Sequence, residues 1–258
     1  MNSMPKIIGD FMELAFSSKI CKVKVTDTKM LSQNIKRIRF KGHFPHINFK
    51  IGQAIIIRID DTNYRNYTPS KWNSEKGTFE VIFHIHKNGP GSYFVENLKP
   101  DDQITVGMPR GFEFFKKEEK YQFFYGDETC ISVFKSFKDE INANENNYLG
   151  ILELDPDDME VADKLGFSVD IVPKSANKAE FAIETLNKLD AKIWDLWQHG
   201  QFYLMGNAKS IQAFRKVLKE KGVLNKKIYT QAYWAEGKIG LYSHNQIVVV
   251  LLLNFDTI

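Results

Sequence analysis

Arg65-Asn66-Tyr67-Thr68 places a guanidinium, a phenol and a hydroxyl within four residues. If this segment is a strand, Arg65 and Tyr67 share one face with Ser70, and Thr68 points the other way. A guanidinium can grip a phosphate through two parallel N–H bonds, and a phenol ring can stack on a flat heterocycle. Further on, His84 and His86 alternate and so share a strand face. Metal ligation needs more ligands than these two, and no neighbouring carboxylate or cysteine spacing supplies them, so packing or hydrogen bonding is expected. Gly89-Pro90-Gly91-Ser92 precedes a short helical segment, with Ser92 at the expected cap position. Two glycines and a hydroxyl there make either a phosphate cradle or a plain capped turn. Pro109-Arg110-Gly111 closes the stretch. Together these are the parts needed to hold a flat, phosphate-bearing cofactor.

Further along, Gly126-Asp127-Glu128-Thr129 and Gly206-Asn207 each follow an apolar run. In an open α/β sheet, ligands bind beyond the carboxyl ends of the strands. Glycine there lets the backbone approach a ligand, and the next helix offers free N–H groups to phosphate. Thr129 is placed to cap such a helix or to bond a pyrophosphate oxygen. Both glycines serve equally as ordinary strand-to-helix turns. Lys174 and Ser175 suit a 2′-phosphate or a simple polar loop. The sequence holds no GxGxxG, nucleophile triad or paired-carboxylate constellation.

The elements that must position these residues divide the chain in two. Residues 5–16 have a helical period. From Ile20 the period becomes two, with strands at 21–26, 35–40, 52–59, 65–68, 79–86 and 101–106, and one short helix at 92–98. Six short strands at this spacing predict an antiparallel barrel. After Gly111 strands alternate with helices: strands at 121–125, 148–154, 167–172, 201–206 and 227–233, helices at 131–141, 181–189, 193–198 and 211–221, with Gly222 as a C-terminal cap. That order predicts a parallel sheet with crossover helices. The expected division is an extension over 1–17, a β domain over 18–115 and an α/β domain over 120–258, joined by the charged connector 114–120.

The composition is globular: 258 residues, 43% apolar, 26% charged, net charge +3. The small net charge argues against a nucleic-acid binder while allowing a local basic patch. Cys21 and Cys130 have no metal or disulfide spacing and are expected to be reduced thiols of a cytoplasmic protein. Asp10 and Glu13 interrupt the N-terminal segment, so no signal peptide is expected. The apolar run at 247–253 is far shorter than the roughly 20 residues of a membrane span and reads as a buried strand.

In this order, Arg65-x-Tyr67-Thr68, His86-x-x-Gly89-Pro90-Gly91-Ser92, Pro109-Arg110-Gly111, Gly126-Asp127-Glu128-Thr129, Met205-Gly206-Asn207-Ala208 and Tyr233-Trp234-Ala235-Glu236-Gly237 resemble the siderophore-interacting proteins. These are flavin-dependent ferric-siderophore reductases of the ferredoxin–NADP reductase superfamily. The resemblance implies an enzyme with a flavin-binding barrel and a nicotinamide-binding domain, using FAD, NADPH or NADH, and an anionic ferric siderophore as substrate; a monomer is expected, with the sequence leaving the oligomeric state open. It implies FAD contacts from Arg65, Tyr67, Thr68, His84, His86, Gly89, Gly91 and Ser92, with Thr68 near the reactive flavin nitrogen. Gly126, Asp127, Thr129, Gly206 and Asn207 would line the NAD(P)H cleft, and Lys71 and Arg110 would meet the ferric chelate. Two positions depart from the family pattern: Ser70 stands where an arginine is common, and Asn207 where a glutamate is common. The alternatives are a flavoprotein exchanging electrons with ferredoxin or another protein carrier, and a barrel that binds single-stranded nucleic acid.

Overall fold

The computed structural model describes residues 20–44, 47–61, 63–111 and 113–237. The helix expected at 5–16 and the strand expected at 247–253 lie outside them. The first unit is an antiparallel sheet of seven strands: β1 (Ile20–Met30), β2 (Ile35–Gly42), β3 (Ala54–Arg58), β4 (Tyr64–Tyr67), β5 (Lys71–Asn73), β6 (Thr78–His84) and β7 (Gln103–Arg110). Their order is β4-β3-β7-β1-β2-β6-β5. Alternation sets the faces: Ile38 and Phe40 of β2 are buried while Arg39 and Lys41 are exposed. The inward residues meet those of the neighbouring strands, and Phe40 stacks on Phe79 of β6 at 4.8 Å.

Where six strands of an antiparallel barrel were expected from sequence, the sheet has seven and is not closed. The seventh, β5, follows Pro69, which has no N–H to continue the β4 ladder. Ser70 N–H instead bonds Glu80 O at 2.8 Å, and Lys71 pairs with Glu80 on β6. The helix between β6 and β7, α1 (Pro90–Asn97), begins two residues before its expected start. Lys36, 7% exposed, donates to Val95, Glu96 and Leu98 carbonyls and closes the helix's C-terminal end.

The second unit is a parallel sheet ordered β10-β9-β8-β11-β12. It comprises β8 (Tyr121–Asp127), β9 (Asn147–Leu154), β10 (Asp170–Pro173), β11 (Gln201–Asn207) and β12 (Ile228–Trp234). The helices are α2 (Ile131–Ala143), α3 (Val161–Lys164), α4 (Glu180–Asn187), α5 (Ala191–Trp197) and α6 (Ala208–Glu220). Every residue of β11 is buried, as expected for a strand covered on both faces. Gly222, with φ +90°, ends α6 as expected. Among the described residues no helix is long and apolar enough to cross a membrane.

The units share a core. Leu31, Ile35 and Ile82 of the first pack with Phe134, Leu152 and Leu154 of the second. The connector contributes too: Phe115 is buried, and Phe114 stacks on Tyr229 at 4.1 Å. Asp158, fully buried, accepts from Ser32 Oγ at 2.7 Å, Asn34 N at 3.1 Å and Asn34 Nδ2 at 3.3 Å. Removing that carboxylate leaves three half-buried donors without their acceptor. Asp158→Ala is expected to cost about 1–3 kcal/mol in urea unfolding, with tryptophan fluorescence and far-UV circular dichroism ceasing to coincide as the units uncouple. An unchanged midpoint with coincident probes would show that the tie contributes nothing.

Candidate functional site

Arg65 and Tyr67 alternate along β4 and both face the start of α1. A Cβ placed on Gly91 would lie 3.0 Å from Tyr67 Oη and 3.2 Å from Arg65 Cγ, so a larger residue here would push on both side chains. Arg65 Nη1 donates to Tyr64 O at 2.8 Å, and no carboxylate among the described residues pairs with it. Its remaining donors suit a phosphate. Tyr67 lies edge-on to Phe83 at 4.7 Å, and burial pushes its phenol up to about 12, so it stays neutral. The helix cap differs from expectation. Gly89, with φ +99°, is the cap residue, and Ser92 sits inside the first turn. Ser92 Oγ accepts from Lys87 N at 3.0 Å and folds the loop. The first-turn N–H groups, which have no intrahelical acceptor, are the free donors here. His86 Nδ1 accepts from Asn88 N at 3.2 Å, which leaves the proton on Nε2. Pyrophosphate chemistry fits this donor set: a guanidinium, a helix N-terminus and a close glycine backbone.

Thr68 lies where the two units meet. Ser132, in the first turn of α2, donates to Thr68 O at 2.6 Å and accepts from Ile82 N at 3.1 Å. Tyr233 of β12 donates to Met205 Sδ at 3.6 Å, and burial holds its phenol in the neutral form. Ser70 does not join Arg65 and Tyr67 on a strand face, because β4 ends at Tyr67. It is buried and its hydroxyl bonds Glu80 O at 3.2 Å.

At the carboxyl ends of the parallel strands, Asp127 is the organising group. It is 4% exposed and accepts from Thr129 N at 2.9 Å, Asn207 N at 2.9 Å, Trp234 Nε1 at 2.8 Å and the Thr129 hydroxyl. Asp127, rather than Thr129, therefore caps the turn Glu128–Cys130. Gly206 has φ +109°, and a Cβ there would collide with the Asp127 carboxylate. Gly126 is also closely packed, with Cys130 Sγ 2.9 Å from where its Cβ would sit. Asn207 caps α6, its Oδ1 accepting from Lys209 N at 2.9 Å and Ser210 N at 3.1 Å. Asp127 and Asn207 line a recess of about 40 Å³ together with Glu153, Lys174, Ser175, Lys178 and Trp234.

Sequence reasoning assigned no role to the buried acids nearby. Glu153 Oε2 accepts from Tyr125 Oη at 2.5 Å. Burial raises Glu128 to about 7, although Lys174 lies 2.7 Å away. Burial pulls the Lys174 ammonium down, but Glu128 and Asp155 outweigh it and hold it above its ordinary range. Lys174 is thus committed to internal ion pairs, and Ser175 donates to Asn177 O. The carboxylates missing beside His84 in sequence arrive from the second unit. Ligand atoms of His84, Asp155 and Asp158 lie within 4.8 Å of one another. Those acids are already engaged by Lys174, Ser32 and Asn34. The rings of His84 and His86 are 5.9 Å apart.

Lys71 is exposed on β5. Arg110 donates to Asn66 Oδ1 at 3.1 Å, and Asn66 alternates with Arg65 and Tyr67. Arg110 therefore lies against the opposite face of β4.

Two family models match the chain: an oxidoreductase FAD-binding domain over residues 22–114, and a siderophore-interacting protein over 119–237. No curated protein matches by sequence. Among solved structures, the siderophore-interacting protein SipS from Aeromonas hydrophila is 17% identical, with TM-score 0.68, covering 93% of this chain and 99% of that one. A siderophore utilization protein from T. fusca is 16% identical, with TM-score 0.68 and coverages of 88% and 96%. The ferredoxin-NADP+ reductase from Plasmodium falciparum is 18% identical, with TM-score 0.66 and coverages of 82% and 95%. At these identities the structural likeness shows a shared fold.

Burial, and after it the Lys174 charge, lowers the His84 pKa below its reference of 6.5. The unfolded chain takes up this proton first as pH falls, so the histidine's contribution is complete above about 6.5 and is lost as pH drops through the folded value. Urea unfolding of wild type and His84→Gln should show a constant stability difference between pH 8 and 7. Below pH 6.5 the wild type should lose ground to the variant. A pH-independent difference would overturn this.

Proposed function

We propose, from the match of residues 119–237 to a siderophore-interacting protein model and of residues 22–114 to an oxidoreductase FAD-binding domain, that this chain is an NAD(P)H-dependent flavin reductase acting on ferric siderophores. The observation that carries this reading is the position of Thr68. It directly follows the strand bearing Arg65 and Tyr67, and Ser132 of the second unit donates to its carbonyl. A cofactor on the β4 cradle would thus face the carboxyl ends of the parallel strands.

Arg65, His86, Gly89, Gly91 and the first-turn N–H groups of α1 would hold the FAD phosphates. FAD, when bound, accepts an electron pair as hydride from nicotinamide and passes electrons singly to Fe(III). Tyr67, whose ionisation lies near 12, offers a neutral ring for stacking. Thr68 cannot drift, because its carbonyl is tied to Ser132. Gly126, Asp127, Thr129, Gly206 and Asn207 shape the nucleotide cleft, with the Asp127 carboxylate joining three strand ends. Lys71 offers an exposed ammonium, and Arg110 a guanidinium steadied by Asn66, to an anionic ferric chelate. Hard oxygen chelators hold Fe(II) far less tightly than Fe(III), so reduction releases the metal. Electron transfer of this kind asks for no protein nucleophile.

The purified protein should bind FAD and show an oxidised-flavin spectrum that bleaches anaerobically with NADPH or NADH, then recovers on adding a ferric siderophore. Arg65→Ala should weaken FAD binding by about 10- to 100-fold, as expected for loss of charge-assisted hydrogen bonds. Failure to take up FAD would overturn the proposal. Bleaching by reduced ferredoxin and by neither nucleotide would replace the donor.

A further inference from the structure

The rim of the nucleotide cleft is closed by an ion pair that a phosphate would have to replace. Lys178 lines the recess together with Ser175, Asn207 and Ser210. Glu236, two residues beyond Trp234, sets Oε1 on Lys178 Nζ and brings Oε2 to 3.6 Å from Lys209 Nζ. Lys209 belongs to the first turn of α6, a helix of 13 residues whose N-terminus opens on the same recess.

A second observation points to a ligand. Asn207 is 5% exposed, and its Nδ2 is buried without a hydrogen-bond partner. The amide cannot simply be turned over, because Oδ1 already accepts from Lys209 N and Ser210 N. An orphaned donor is costly inside a protein and marks a place where an acceptor belongs. Two ammonium groups, that donor and a helix N-terminus define a site for an anion with several oxygens. Glu236 meets only part of this demand. Its pairs are exposed, with side-chain exposures of 44% for Glu236 and 65% for Lys209, so they contribute little to the fold. Hydrogen bonding and charge from Lys178 hold its carboxyl below the usual range, so it is ionised at neutral pH.

We propose that Lys178, Lys209 and the Asn207 amide form a phosphate subsite for a nucleotide, and that Glu236 covers it in the free protein as an internal carboxylate competitor. This rests on reading the cleft as a nucleotide site. Entry of a phosphate ester exchanges one anion for another: Glu236 swings out to solvent, and the ligand oxygens take Lys178, Lys209 and Asn207 Nδ2. The latch sets a threshold that favours ligands carrying more negative charge than one carboxylate.

The test is calorimetric titration of wild type and Glu236→Gln with NADPH, NADH, 2′-AMP and 5′-ADP at low and high salt. Glu236→Gln should bind phosphate ligands about two- to five-fold more tightly at low salt, as expected for release of a surface ion pair. The gain should fade at high salt and vanish when Lys178→Gln is added. A gain confined to 2′-AMP and NADPH places the 2′-phosphate here, and a gain for 5′-ADP places the pyrophosphate; either supports the subsite. Equal or weaker binding by Glu236→Gln, with wild type still binding nucleotide, overturns the latch and leaves the cleft reading standing. If neither protein binds any of the four ligands, both fall.

Discussion

Ser132 carries the geometry on which the rest depends. Its hydroxyl donates to Thr68 O and accepts from Ile82 N, joining the first turn of α2 to two strands of the other unit. At 5% exposure this bond has little competition from water. It fixes where β4 ends relative to where the parallel strands end. Two half-sites on separate sheets work together only if that offset is constant, and rigid elements hold it better than loops. The shared core around Leu31, Ile82 and Phe134 and the Asp158 tie keep the hydroxyl seated.

Asp127 does the same within the second unit. Four donors from β8's own turn, β11's end and β12's indole converge on one carboxylate. Such a buried charge is tolerable only when its oxygens are satisfied. The arrangement explains why glycine stands at position 206: any larger residue would displace the carboxylate and release three strand ends together.

The fold was legible because its signals are local. Alternation of buried and exposed residues announced β2, and unbroken apolar character announced β11. The family motifs stood in matching contexts, and the matched models span the same two segments. The seventh strand was missed because Lys71–Asn73 is too short to show a period. Caps were misassigned by small shifts of helix start. Asp127 and Thr129 can each cap the same turn from sequence, and Ser92 looked like a cap only because Pro90 and Gly91 disguised the first turn. The surroundings of His84 were invisible, since Asp155 and Asp158 lie over seventy residues away and arrive through packing of the two units.

Charge balance at the strand ends ties these features together. Asp127, Glu128 and Glu153 crowd the cleft with carboxyl groups, which by themselves would repel a phosphate. Each is dealt with internally: Asp127 by its donors, Glu128 by burial and Lys174, Glu153 by burial and the Tyr125 hydroxyl. Lys174 is spent in that balance. At the rim, Lys178 and Lys209 both pair with Glu236. With the floor carboxyls engaged internally, the positive charge that an incoming anion would meet first is at the rim.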